Sequence, residues 1–211
     1  MTITLNGTSG INTPGVVNTA AQTVATTLAV TGAATLSSTL AVTGVTTLGA
    51  MGSSVITSGT SQASTSGTSI DFTSIPSWVK RITVMFNGVS TSGTSAKVLR
   101  IGTGGTPDTT GYTSTQSDLG ASVVTATASA YFQLQGSAVA ARAESGTMVL
   151  NLLNASTNIW TFNSGIAQDT FSNTYISFGS KTLSGSLGIV RVTTAGGTDT
   201  FDAGSINILY E

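Results

Sequence analysis

The stretch Trp78-Val79-Lys80-Arg81-Ile82-Thr83-Val84-Met85-Phe86 alternates in character. Ile82, Val84 and Phe86 share one face, and Arg81, Thr83 and Met85 share the other. A period of two in β-branched and aromatic sequence predicts a strand with one buried side. The same texture recurs from there to the end of the chain. Candidate strands cover 69–75, 78–86, 96–101, 129–135, 147–153, 158–163, 174–179, 187–193 and 205–210. Turn-like separators lie between them: Asn87-Gly88, Gly104-Gly105-Thr106-Pro107-Asp108, Gly136-Ser137, Ser164-Gly165, Ser184-Gly185-Ser186 and Ala195-Gly196-Gly197-Thr198-Asp199. Many short strands with frequent turn signals predict an all-β domain over 70–211, a β-sandwich or jelly roll. No helical period is present.

Upstream of Asp71 the chain carries no charge, whereas all eight acids and seven cations lie in 71–211. The shift coincides with a Ser/Thr/Gly-rich run at 58–69, which reads as a linker. Three regions follow: 1–57, the linker 58–69 and the domain 70–211. Within the first, Thr27-Leu28-Ala29-Val30-Thr31-Gly32-Ala33-Ala34-Thr35-Leu36 is repeated twelve residues later as Thr39-Leu40-Ala41-Val42-Thr43-Gly44-Val45-Thr46-Thr47-Leu48. An even period keeps each copy on the same strand face. Val24, Leu28, Val30, Leu36, Leu40, Val42 and Leu48 all fall on even positions, and Val17 and Val45 break the parity. A segment this thin cannot cover its own apolar stripe, and two copies are fewer than a self-standing stack needs. Identical chains wound about a common axis would cover it, giving an intertwined β stalk with those seven residues at its centre. The composition alone also fits a disordered polar tail, but the alternation argues against that.

The chain has 211 residues, of which 40 are Thr, 29 Ser and 25 Gly, with 7% charged and a mean hydropathy of +0.30. Soluble domains usually carry roughly 25% charged residues. The hydropathy comes from Ala, Val and Ile, and no run approaches the ~18 apolar residues of a spanning helix, so no membrane insertion is expected. There is no Cys and no His. Thiol chemistry, a Ser–His–Asp triad and ordinary zinc sites are thereby excluded. A net charge of −1 with seven scattered cations disfavours nucleic acid as a partner. The N-terminal Met1-Thr2-Ile3-Thr4-Leu5-Asn6-Gly7 has no basic region or apolar core, so no signal peptide is expected.

Catalysis has few players. A glycosidase needs two facing carboxylates, and the acids are Asp71, Asp108, Asp118, Glu144, Asp169, Asp199, Asp202 and Glu211. Asp108, Asp199 and Asp202 sit beside Gly, Thr or Pro, where Asp stabilises turns. Gly102-Thr103-Gly104-Gly105 lacks the Lys and helix of a phosphate loop, and no spaced calcium loop is present. No enzyme, metal or cofactor is expected. Trp78 and Trp160 fall inside strand patterns and are expected in a core or subunit interface. The stretch 102–128 reads as the longest irregular one, and loops on β scaffolds carry recognition. Asp108, Tyr112 and Asp118 are therefore the candidate receptor loop.

Three stretches also carry a resemblance. Ile3-Thr4-Leu5-Asn6-Gly7-Thr8-Ser9-Gly10-Ile11, with the repeated Leu-Ala-Val-Thr-Gly, resembles the N-terminal parts of bacteriophage tail-fibre and head-fibre proteins. The stretch 75–90, Ile75-Pro76-Ser77-Trp78 onward, and the end from Thr198-Asp199-Thr200-Phe201 to Glu211 look like phage structural proteins. The resemblance implies a homotrimeric virion component made in the cytoplasm of a bacterial host. It implies contacts with other virion proteins through the N-terminal segment and with a host glycan through the C-terminal domain. A short fibre or spike is the expected role. A capsid decoration protein and a tail-associated glycan depolymerase are the alternatives.

Overall fold

In the computed structural model the described residues are 56–120, 123–135, 139–169 and 173–211. They fall in the unit that spans Ala50–Glu211. The expected stalk positions Val24, Leu28, Val30, Leu36, Leu40, Val42 and Leu48 lie outside the described residues, as does the Gly136-Ser137 separator.

Among the described residues there are strands and no helix. The first six strands are β1 (Thr57–Ser58), β2 (Gln62–Ala63), β3 (Ser69–Thr73), β4 (Arg81–Thr91), β5 (Lys97–Thr103) and β6 (Tyr112–Leu119). They are followed by β7 (Val123–Ala128), β8 (Phe132–Gln133), β9 (Glu144–Asn154) and β10 (Ile159–Gln168). The last three are β11 (Thr174–Thr182), β12 (Leu187–Thr194) and β13 (Phe201–Tyr210). A wide sheet runs in the order β1-β13-β4-β9-β10-β11-β6-β7, with β2 also on β13. A narrow sheet runs β3-β12-β5-β8. Pairing is antiparallel throughout both.

The two sheets share one apolar core. The wide sheet contributes Ile82, Val84, Met148, Leu150, Phe162 and Ile208, and the narrow sheet Leu99, Ile101, Phe132, Val190 and Val192. In β4 the alternation sets Ile82, Val84 and Phe86 inside, while Arg81, Thr83 and Met85 are more exposed. Burying each Val, Leu, Ile, Met or Phe stabilises the fold by roughly 1.5–3 kcal/mol.

Two turn signals were absorbed into strands. Asn87-Gly88 lies within β4, where the register shifts between Phe86 and Val89. Gly88 has φ +61° and Gly204, in the facing strand, φ +92°; a Cβ on Gly204 would lie 2.4 Å from the Gly88 carbonyl oxygen. The pair forms a bulge where two backbones come closer than side chains permit. Ser164-Gly165 lies in the middle of β10.

The 58–69 run, expected as a linker, begins along β13 of the wide sheet and ends at Ser69, the first residue of β3 in the narrow sheet. Thr57 and Ser58 pair with Tyr210 and Leu209, and Gln62 and Ala63 with Ile206 and Ser205. Gly59 N–H donates to Ile208 O at 2.8 Å, and Ser64 is buried with its hydroxyl on Ala203 O at 2.8 Å. Small side chains let this run lie close against β13, where its backbone groups find ladder partners. Nor is 102–128 irregular throughout. It holds β6 and β7, paired from Ser114–Ala128 to Leu119–Val123.

Candidate functional site

The register of the wide sheet sets its outer face in rows. One row reads Leu209, Thr83, Val149, Asn163, Phe178, Thr115, Thr127. The next reads Asn207, Met85, Thr147, Gly165, Ile176, Ser117, Thr125. A third runs Arg81, Asn151, Thr161, Ser180, Thr113. The third row continues to Glu211, which exchanges backbone hydrogen bonds with Arg81 and pairs with its guanidinium at 2.9 Å; these two are the charged residues of the three rows. Phe178 stands 57% exposed in the middle of this face. Covering such a face desolvates hydroxyls and amides but almost no ions, so a second protein surface can pack on it at low electrostatic cost.

The narrow sheet's outer face differs. Asp71, Arg191 and Arg100 occupy one register row. Arg191 Nε and Nη2 donate to the two Asp71 oxygens at 2.7 and 2.6 Å, a bidentate pair. The Arg100 guanidinium lies 5.8 Å from the Tyr131 ring centre.

Of the candidate receptor residues, Asp108 lies in the loop between β5 and β6, and Tyr112 and Asp118 lie in β6. Tyr112 is buried. Its hydroxyl donates to Ile101 O and accepts Ile101 N–H, both at 2.9 Å, and its ring meets Phe132 edge-on at 4.9 Å. Burial pushes its phenol upward from the ordinary value. Asp108 pairs with the buried Lys181 at 2.7 Å. Asp118 lies in β6, accepting from Gly120 N–H at 3.0 Å and from Asn173 at 3.3 Å. Tyr112 and Asp108 are neighbours, since Lys181 Nζ also lies 5.3 Å from the Tyr112 ring centre. Asp118 sits at the opposite end of β6 from Tyr112. The three side chains are held by the fold and form no common outward surface.

Exposed aromatic surface lies elsewhere. Trp160 is buried, but Trp78, expected in a core or interface, is 52% exposed and leans on Tyr210 with ring centres 5.8 Å apart. It precedes β4 in a turn, so the strand's alternation does not reach it. Its chain neighbours Ser77 and Val79 line a cavity of about 130 Å³, together with Pro76, Lys80, Asn158 and Trp160 among others. The buried Trp160 Nε1–H has no hydrogen-bond partner among the described residues. A flat ring beside polar groups is the surface on which a sugar ring stacks.

The acids are engaged singly. Besides the pairs above, Asp199 accepts from Ser95 N–H at 2.8 Å, Asp169 from Ser145 at 3.2 Å, and Asp202 from Ser90. Glu144 faces Lys97 at 3.5 Å in the interior. Burial pushes Glu144 up to about 7, against the opposing pull of Lys97. Gln135, Gln168, Thr91 and Thr194 are buried as well, near the same ends of β4, β9, β10 and β12. The sequence reading passed over this inward lysine. Its signal was parity, because Lys97 shares a strand face with Leu99 and Ile101.

Among the described residues no group of three or more His, Cys, Asp or Glu is placed to hold a metal, and no helix is long and apolar enough to cross a membrane. The chain matches no family model, no curated protein and no solved structure with which it was compared.

Proposed function

We propose that this is a non-enzymatic structural protein of a phage particle, a short homotrimeric fibre or spike. In this reading residues 1–57 attach to the virion and wind with two sister chains into a β stalk. Residues 70–211 form a jelly-roll-like head. The observation that carries the reading is the nearly uncharged outer face of the wide sheet, whose row from Leu209 to Thr127 holds no charge, in the same chain as an uncharged leading segment. Both surfaces suit burial against sister chains. The resemblance of 3–11, 75–90 and 198–211 to phage fibre proteins supports the setting.

The head's contact with a host glycan is assigned to Trp78, Tyr210 and the adjoining cavity, in place of Asp108, Tyr112 and Asp118. A wide face with so few charges also suits a protein lying on a capsid shell, and this keeps the decoration role as the second reading. Labelling intact particles with an antibody against residues 70–211 tests both. Label on the tail supports the fibre. Label spread over the head supports decoration, and particles without label refute a virion role. Release of reducing sugar from host polysaccharide by the purified chain would make it a depolymerase instead.

A further inference from the structure

The interior contact between Lys97, Glu144 and Gln135 has the parts of an amide-forming site. Lys97 opens β5 with its side chain inward and 2% exposed. Glu144 opens β9, also inward and 4% exposed. Gln135 follows β8 and is fully buried. Lys97 Nζ lies 3.5 Å from Glu144 Oε1 and makes no hydrogen bond among the described residues. The Gln135 carboxamide is oriented by its neighbours. With its nitrogen toward Glu144 it donates to both carboxylate oxygens, at 2.6 Å for Oε2, and its oxygen accepts Lys97 N–H at 3.3 Å. The backbone holds this register, since Leu134 N–H reaches Lys97 O at 3.4 Å. An amine and a carboxamide thus meet at one carboxylate, away from water.

We propose that Lys97 and Gln135 become joined by an intramolecular isopeptide bond, with Glu144 as the proton carrier. Lys97 hands a proton to Glu144 and attacks Gln135 Cδ as the neutral amine. Glu144 returns that proton to the carboxamide nitrogen it already contacts. The new Nζ–Cδ bond forms, the Cδ–Nε2 bond breaks, and Nζ gives its second proton through Glu144 to the departing ammonia, which leaves as ammonium. No oxidant or co-reactant is needed, and Glu144 ends as it began. The carboxyl is suited to this exchange because burial holds it near 7. Exclusion of water keeps the product amide from hydrolysing. The bond would tie β5 to the chain after β8, clamping the narrow sheet's edge. It requires no particular oligomeric state, so it stands or falls apart from the fibre reading.

The test is the intact mass of the full chain after complete denaturation. The expected mass is below the sequence mass by one ammonia, about 17 Da. Trypsin should fail to cut after Lys97, and the peptides carrying Lys97 and Gln135 should appear joined. Glu144→Gln and Lys97→Arg should each keep their own sequence mass. A folded wild-type chain at its full sequence mass would overturn the proposal. An ammonia loss mapped to another residue would do the same, as would a cross-link that persists in Glu144→Gln. The wild-type mass decides the question even if a variant fails to fold.

Discussion

The two outer faces of this molecule are built from the same small polar residues and differ in one respect. Three rows across the wide sheet hold one ion pair, Arg81 with Glu211 at one end, whereas a single row of the narrow sheet holds Asp71, Arg191 and Arg100. Both are strand surfaces with comparable backbone. The difference lies in what each can afford to have removed from water. A hydroxyl or amide face loses little on being covered if its partners also carry hydroxyls and amides, whereas ions lose their hydration. In the proposed fibre the wide face is the one buried against sister chains and the narrow face is left in solvent.

That contrast can be broken. Leu28→Asp or Leu40→Asp should abolish assembly by placing a charge in the uncharged repeat, while Thr39→Ser, off the stripe, should leave it intact. Equal damage from both, read by size-exclusion chromatography, would undo the facing assignment. Phe178→Asp combined with Val149→Asp should weaken head-to-head association at least tenfold, corresponding to about 1.4 kcal/mol or more. Arg100→Glu on the opposite face should leave association unchanged, and a matching loss there would erase the distinction. Asp71→Asn should lower stability by about 1 kcal/mol or less, since the Arg191 pair is about one-third exposed, and should not alter assembly.

A separate prediction concerns the interior that both sheets share. Glu144 is raised from 4.5 to about 7 on folding. The native state therefore binds its proton more tightly than the unfolded chain does. Relative to Glu144→Gln, wild-type stability is fully favoured below pH 4.5, falls as pH rises toward 7 and is level above it. Urea melts at pH 4.5, 6 and 8 would show this, and an opposite slope would contradict the assigned direction.

The nine strands expected from alternation all appear, because each sets apolar residues against the common core. What escaped the reading had no such contrast. β1 and β2 are short runs of small residues whose pairing with β13 is set by backbone alone. β6 turns Tyr112, Ser114 and Gln116 inward, so its buried face is largely polar and its hydropathy does not alternate. Asn87-Gly88 carried a turn signal, but a positive φ serves a bulge as well as a turn. The stretch that holds Asp108, Tyr112 and Asp118 reads as irregular for the same reason as β6, whose inward residues are largely polar. Exposed Trp78 was masked by the strand pattern that begins three residues later.

Self-association through uncharged surfaces is tested most directly by sedimentation equilibrium of the full chain at micromolar concentration, in low salt and in about 1 M salt, where exposed charge pairs are screened. Three copies per particle at both salt concentrations is the expected result. A monomer in either condition, or an assembly that salt dissolves, would contradict it.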